Sequence, residues 1–206
     1  MLYSIKASLD TRKHLLIASE SLLYRNNSPD TLRDLWLMLH ANAFRSQRTT
    51  FSREIELMHN YDFSFARREE LGYMDVKSVQ FVLQDRTIVH PLPESLGQAT
   101  RLQLWLPFPL VPGESVLLAI DFEVKIPAFF SRLGHRGCHY VVSQWYPQVA
   151  VYEPVPDGPS GAWNAPDYHA LGEFYGEFAS YDVWLTLPAE FVVGATGSPV
   201  GRSLLT

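Results

Sequence analysis

The chain has 206 residues, 47% of them hydrophobic and 19% charged, which suffices for a folded core, as one large all-β domain or two small ones, and excludes a disordered or collagenous polypeptide. Its formal net charge is −5 and its 17 Lys and Arg residues are scattered, so the clustered basic face that nucleic acid requires is missing. The single cysteine, Cys138, excludes an internal disulfide, and no apolar run approaches the roughly 18 residues of a membrane helix.

The first ten residues, MLYSIKASLD, lack the basic and apolar regions of a signal peptide and alternate in polarity, with Tyr3, Ile5, Ala7 and Leu9 on one side. A strand is predicted almost from Met1, which suggests a start at a domain boundary with any leader left off. HLLIASESLLYRN from His14 and LRDLWLMLHAN from Leu32 read as further half-buried strands, separated by the turn residues NNSPD. Thr49 to Gly72 is the one locally helical stretch, with Ser52 as the predicted cap of a short helix running to about Asn60. Arg67 and Arg68 are followed at once by Glu69 and Glu70, a solvated charge cluster.

Three strands follow: DVKSVQFVLQ from Asp75, TRLQLWLPF from Thr100 and SVLLAIDFEVKI from Ser115, with turns at LPES and VPGES. The third is the cleanest, with Val116, Leu118, Ile120, Phe122, Val124 and Ile126 on one face. HYVVSQWYPQVAVYEP, from His139 to Pro154, begins as a strand and passes at Gln144 into a proline-bounded aromatic segment. Five prolines between Pro147 and Pro166, with a turn at PDGPSG, interrupt the strand pattern, and a loop of that length is functional or docked against something else. YDVWLTLP from Tyr181 is the last strand. The pattern predicts an all-β fold, antiparallel sheets packed as a β-sandwich with an open or saddle-shaped extension and at most one or two short helices, in a single domain over residues 1–206.

Candidate chemistry is sparse. HRGCH places His135, Cys138 and His139 within five residues, but no second ligand pair completes a closed zinc site, and a turn plus a strand start accounts for it. His169 and Glu173 stand four apart, yet Gly172 between them argues against a helix. GATGSPVG from Gly194 lacks the G-K-[ST] ending of a phosphate loop, and neither G-x-S-x-G nor H-E-x-x-H occurs. Aromatics crowd the span from Trp145 to Phe178, among them Tyr146, Tyr152, Trp163, Tyr168, Phe174 and Tyr175, interleaved with Glu153, Asp157, Asp167, Glu173 and Glu177. They read either as core and loop tethers or, in part, as the lining of a cleft or interface.

Five segments taken together carry a resemblance: YRNNSPDTL from Tyr24, LHANAF from Leu39, QWYPQVAVY from Gln144, GEFYGEF from Gly172, and YDVWLTLPAEFVVGATG from Tyr181. Across essentially the whole chain they resemble the N-terminal domain of bacterial zinc aminopeptidases of the aminopeptidase N type, peptidase family M1. The resemblance implies a noncatalytic, saddle-like β domain lying on a thermolysin-like catalytic domain that is absent from this chain. The chain alone is then not an enzyme and holds no cofactor, zinc belonging to the catalytic domain of the parent aminopeptidase. The expected partners are that catalytic domain and a peptide substrate, with self-association of the isolated domain.

In that family a glutamine or glutamate at a strand end helps to hold the free α-amino group of the substrate. Ser143, Gln144, Trp145, Tyr146 and Pro147 match its context, so the resemblance implies substrate binding by Gln144, Trp145 and Tyr146, and no catalytic or metal-binding residue. The family pattern continues F-P-C-x-D-E-P, whereas this chain continues VAVYEPVPDGPSGAWN, which implies a differently shaped first pocket. Two other readings stay open: a stand-alone sandwich that binds carbohydrate or protein, and a domain of an inactive peptidase-like scaffold. Composition leaves the compartment open between cytoplasm and export.

Overall fold

The computed structural model describes residues 1–155, 158 and 160–201, with only the backbone of Ser95 and Gln98. Pro156, Asp157 and Pro159 of the expected turn, and the last five residues, lie outside the described residues. Alternating runs form strands because one face of each removes apolar side chains from water. β1 (Leu2–Asp10), β2 (Leu15–Arg25), β4 (Tyr73–Val82), β5 (Thr87–Val89), β7 (Ser115–Lys125) and β13 (Ser180–Thr186) make one sheet in the order β13-β1-β2-β7-β4-β5. Every pairing in it is antiparallel except that of β1 with β13. β3 (Leu32–Met38), β6 (Arg101–Leu110) and β10 (Gln148–Val149) form a second sheet in the order β10-β3-β6.

The two sheets share one core. Leu16, Leu22, Leu118, Ile120 and Phe122 of the first pack in a single cluster with Leu35, Leu37, Leu102 and Leu104 of the second. Each such side chain contributes about 1.5–3 kcal/mol on burial. The architecture is all-β and dominated by antiparallel pairing, as the periodicity predicts. Among the described residues no helix is long and apolar enough to cross a membrane.

The departures are local. The strand expected through Asn42 ends at Met38, and His40–Phe44 form a buried 3₁₀ turn instead. Asn42 sets that turn: its amide donates to Ala99 O at 2.7 Å and accepts from Met74 N at 2.8 Å, bonds that a continuing strand would forgo. The helix, α1, spans Thr50–Leu57, and its cap is Thr49, not Ser52. Thr49 Oγ1 accepts the Ser52 N–H at 3.3 Å and donates to Ala43 O at 2.7 Å, while Ser52 is buried inside the first turn. A bulge between Val76 and Ser78 in β4 leaves Lys77 unpaired in the ladder and free to reach Glu123 at 2.8 Å.

Candidate functional site

The segment that positions the candidate site begins with the hairpin of β8 (Leu133–Arg136) and β9 (His139–Val142), closed by Gly137 at φ 58°. From Val142 the chain turns through Ser143–Pro147 into β10, which pairs with β3. Ser143 Oγ donates to Arg132 O at 2.6 Å, fixing the start of this connection to the hairpin's base.

Gln144 adopts φ 53°, the left-handed region that a residue with a β-carbon enters at a cost of about 1–3 kcal/mol. Its Oε1 is buried and, among the described residues, has no hydrogen-bond partner. A buried acceptor left unmade costs about another 1–3 kcal/mol. Such a residue persists only when its surroundings over-determine it, and its two neighbours do so. The Trp145 ring lies 6.3 Å from Phe122 of β7. Tyr146 packs edge-on against Tyr3 at 5.3 Å and Tyr181 at 5.8 Å, and its hydroxyl donates to Tyr181 Oη at 3.0 Å. Tyr3 Oη in turn accepts the Val149 N–H at 3.1 Å, so the connection is pinned to the first sheet at both ends. Burial, more than the Tyr181 bond, pushes the Tyr146 phenol far above its ordinary range, and it stays protonated.

The three residues singled out from sequence therefore divide. Gln144 borders a shallow depression of about 580 Å³ walled by Phe129, Phe130, Val141 and Phe174, whereas Trp145 and Tyr146 are absent from its wall and pack on the sheet. Arg132 at the rim is already engaged: it donates to Gly172 O at 2.6 Å, pairs with Glu173 at 3.3 Å and lies 5.2 Å from the Phe174 ring. Phe174 arrives on the segment after Tyr168, which crosses the 3₁₀ turn; its ring is 5.1 Å from His40 and 5.2 Å from Tyr168. Further along, a Cβ on Gly176 would meet Gln148 Nε2 at 2.4 Å, so the segment passes directly over β10.

The sequence reading missed Phe129, Phe130 and Arg132 as neighbours of Gln144. The signal was present, since FFSR at 129–132 breaks period-two alternation directly after a clean strand. The aromatics divide as well: Tyr168 is core, Trp145 and Trp163 are half-buried, and Phe178 is fully exposed.

The remaining candidate clusters do not assemble. The His135 ring stacks on His14 at 3.5 Å, His14 Nδ1 is 2.7 Å from Tyr140 Oη, and Cys138 is exposed at the hairpin tip. His169 Nδ1 is 2.6 Å from Glu54 Oε1, while Glu173 pairs with Arg132. Among the described residues no group of three or more His, Cys, Asp or Glu could hold a metal ion, so these residues do not fit a zinc centre.

No family model and no curated protein matches the sequence. Among solved structures the chain is similar to an M1 zinc metallopeptidase from Deinococcus radiodurans, with 17% identity over 92% of this chain and a TM-score of 0.43. The chain spans about a third of that protein, 32% of its length. A likeness this distant carries no functional weight.

Proposed function

We propose that this chain is the noncatalytic N-terminal β domain of a zinc aminopeptidase, that it packs on the catalytic domain, and that Gln144 helps to hold the free amino terminus of a peptide. One observation supports the reading most: Gln144, on the wall of an apolar depression, is held in a left-handed conformation with a buried amide oxygen that has no partner among the described residues. An ammonium requires acceptors, and an amide oxygen supplies one without a competing charge. The strain of the site is then matched by the hydrogen bond it makes when occupied. Trp145 and Tyr146 act in this reading as positioning residues that hold the turn. Zinc belongs to the catalytic domain, and peptide and that domain are the partners; alone, the chain self-associates.

The test uses a polypeptide that joins this chain to the proposed catalytic domain, assayed on aminoacyl chromogenic amides with free and acetylated amino groups. Gln144→Ala is expected to lower kcat/KM on the free-amine substrates by about 10- to 100-fold, the worth of one hydrogen bond to a charged group. Gln144→Glu is expected to retain activity. Equal activity of Gln144→Ala and the parent on free-amine substrates would sink the assignment.

A further inference from the structure

Two hairpins stand outside the two large sheets. One, β11 (Val151–Glu153) with β12 (Ala162–Asn164), is tied to the turn after β2 by the Asp30 carboxylate, which accepts from the Tyr152 hydroxyl at 2.8 Å and the Gly161 N–H at 2.7 Å. The other, β8 with β9, leads directly into Gln144 and is held by imidazoles instead.

Leu133 anchors the base of this second hairpin in the core, and the His135 N–H donates to Pro127 O at 2.9 Å. From there outward the hairpin meets the turn between β1 and β2. The His135 ring lies flat on His14, with 3.5 Å between centroids and 13° between planes, and the Tyr140 hydroxyl stands 2.7 Å from His14 Nδ1. His135 and Tyr140 are opposite each other in the hairpin's register, so His14 meets both of its arms. His14 is a fixed platform: it sits at φ 51°, and its carbonyl accepts the Ile126 N–H at 2.8 Å. All three side chains are half-buried.

Such a stack suits neutral rings. Two imidazolium ions face to face at this separation repel. His135 Nδ1 is buried and has no partner among the described residues, so a proton there meets no acceptor. Burial is the largest influence on each ring and lowers both below the ordinary 6.5; Lys125 of β7 acts in the same direction on both, while Asp10 at the end of β1 opposes it at His14. Tyr140 of β9, its phenol raised by burial, stays neutral. Because the folded values are depressed, the pair's support of the closed hairpin is full above pH 6.5 and is lost as the pH falls.

The far arm of the hairpin carries the consequence. Val141, next to Tyr140, walls the depression, and Ser143 alone separates the end of β9 from Gln144. We propose that the His14–His135 stack is an acid-sensitive latch: protonation of the pair frees the outer half of the β8–β9 hairpin, and with it the Val141 wall of the depression beside Gln144. The effect on amine binding rests on the role proposed for Gln144, whereas the latch does not.

The experiment is amide exchange of this chain followed by NMR from about pH 7.5 down to about pH 5 and corrected for the intrinsic rate. The amide of residue 135 reports the latch, because its bond to Pro127 breaks when the hairpin lifts. Its protection is expected to fall about tenfold across that range while the amides of β2 and β7 keep theirs. His135→Phe keeps a ring against His14 and removes one proton site, so the same protection is expected to change by less than about threefold. Three results would overturn the latch: equal protection of residue 135 at both ends of the range, loss of protection in β2 and β7 together with it, or the parent's pH dependence persisting in His135→Phe. Exchange in this chain reads the hairpin alone, so the latch and the amine-binding role of Gln144 fail or stand separately.

Discussion

Gln144 and Glu20 break the same rule in different places. Buried polar groups are normally hydrogen-bonded, yet among the described residues Gln144 Oε1 has no partner, and Glu20 is 2% exposed in the middle of a sheet with neither carboxylate oxygen paired. Glu20 occupies a core-facing position of β2, flanked in register by Ile5 and Ile120. Desolvation raises its pKa well above the ordinary value. Period-two reading marks position 20 as inward but cannot say that a carboxyl stands there unpaired, since pairing depends on which strands become neighbours. Gly72 poses a simpler constraint. A Cβ there would stand 2.5 Å from Pro127 Cδ and 2.7 Å from Lys125 O, and neither atom ends a flexible side chain. Gly72→Ala is therefore expected to destabilise by about 2 kcal/mol, lowering Tm by about 6 °C in a thermal melt.

Among the elements, β13 is the outlier. It pairs in parallel with β1 from Leu2↔Ser180 to Ser8↔Thr186, and all seven of its residues are exposed. Although Tyr181 stacks on Tyr3, Tyr181, Val183 and Leu185 on one face and Trp184 on the other are each 43–53% exposed, and among the described residues no strand pairs with the outer edge of β13. Such an edge pairs readily with another strand. We expect concentration-dependent sedimentation of this chain, and Val183→Lys to shift it toward monomer; a monomeric parent at high concentration would refute this. The strand itself was legible, because YDVWLTLP has high β-propensity throughout. Its position at the sheet's end was not, because a parallel neighbour gives no local turn signal. The 3₁₀ turn after β3 was missed for a related reason: LHAN continues an apolar run, and only the contacts of Asn42 with Met74 and Ala99 bend it.

For the molecule as a whole, buried ionisable groups set opposing pH limits. Burial takes His40 from the ordinary 6.5 down to about 4, with Asp167 opposing weakly. Its folded pKa is depressed, so its contribution is full above pH 6.5 and is lost as pH falls towards 4, about 3 kcal/mol in all. His14 and His135, also lowered mainly by desolvation, add in the same direction. Glu20 works the other way: with a raised folded pKa, its contribution is full below its ordinary 4.5 and is lost as pH rises through the folded value. Denaturant titrations across pH should show His40→Gln flattening the acid limb and Glu20→Gln raising stability on the alkaline side. An acid limb identical in His40→Gln and the parent would remove His40 from this account. The sequence by itself determined the strand content, the inward face of each long strand and the conspicuous place of Gln144, because alternation and turn chemistry act between near neighbours in the chain. Tertiary structure alone decided that Tyr3 and Tyr181 brace Tyr146 and that Phe129 and Phe174 stand beside Gln144. Those pairs lie far apart in the chain, and only the order of strands in the sheets brings them together.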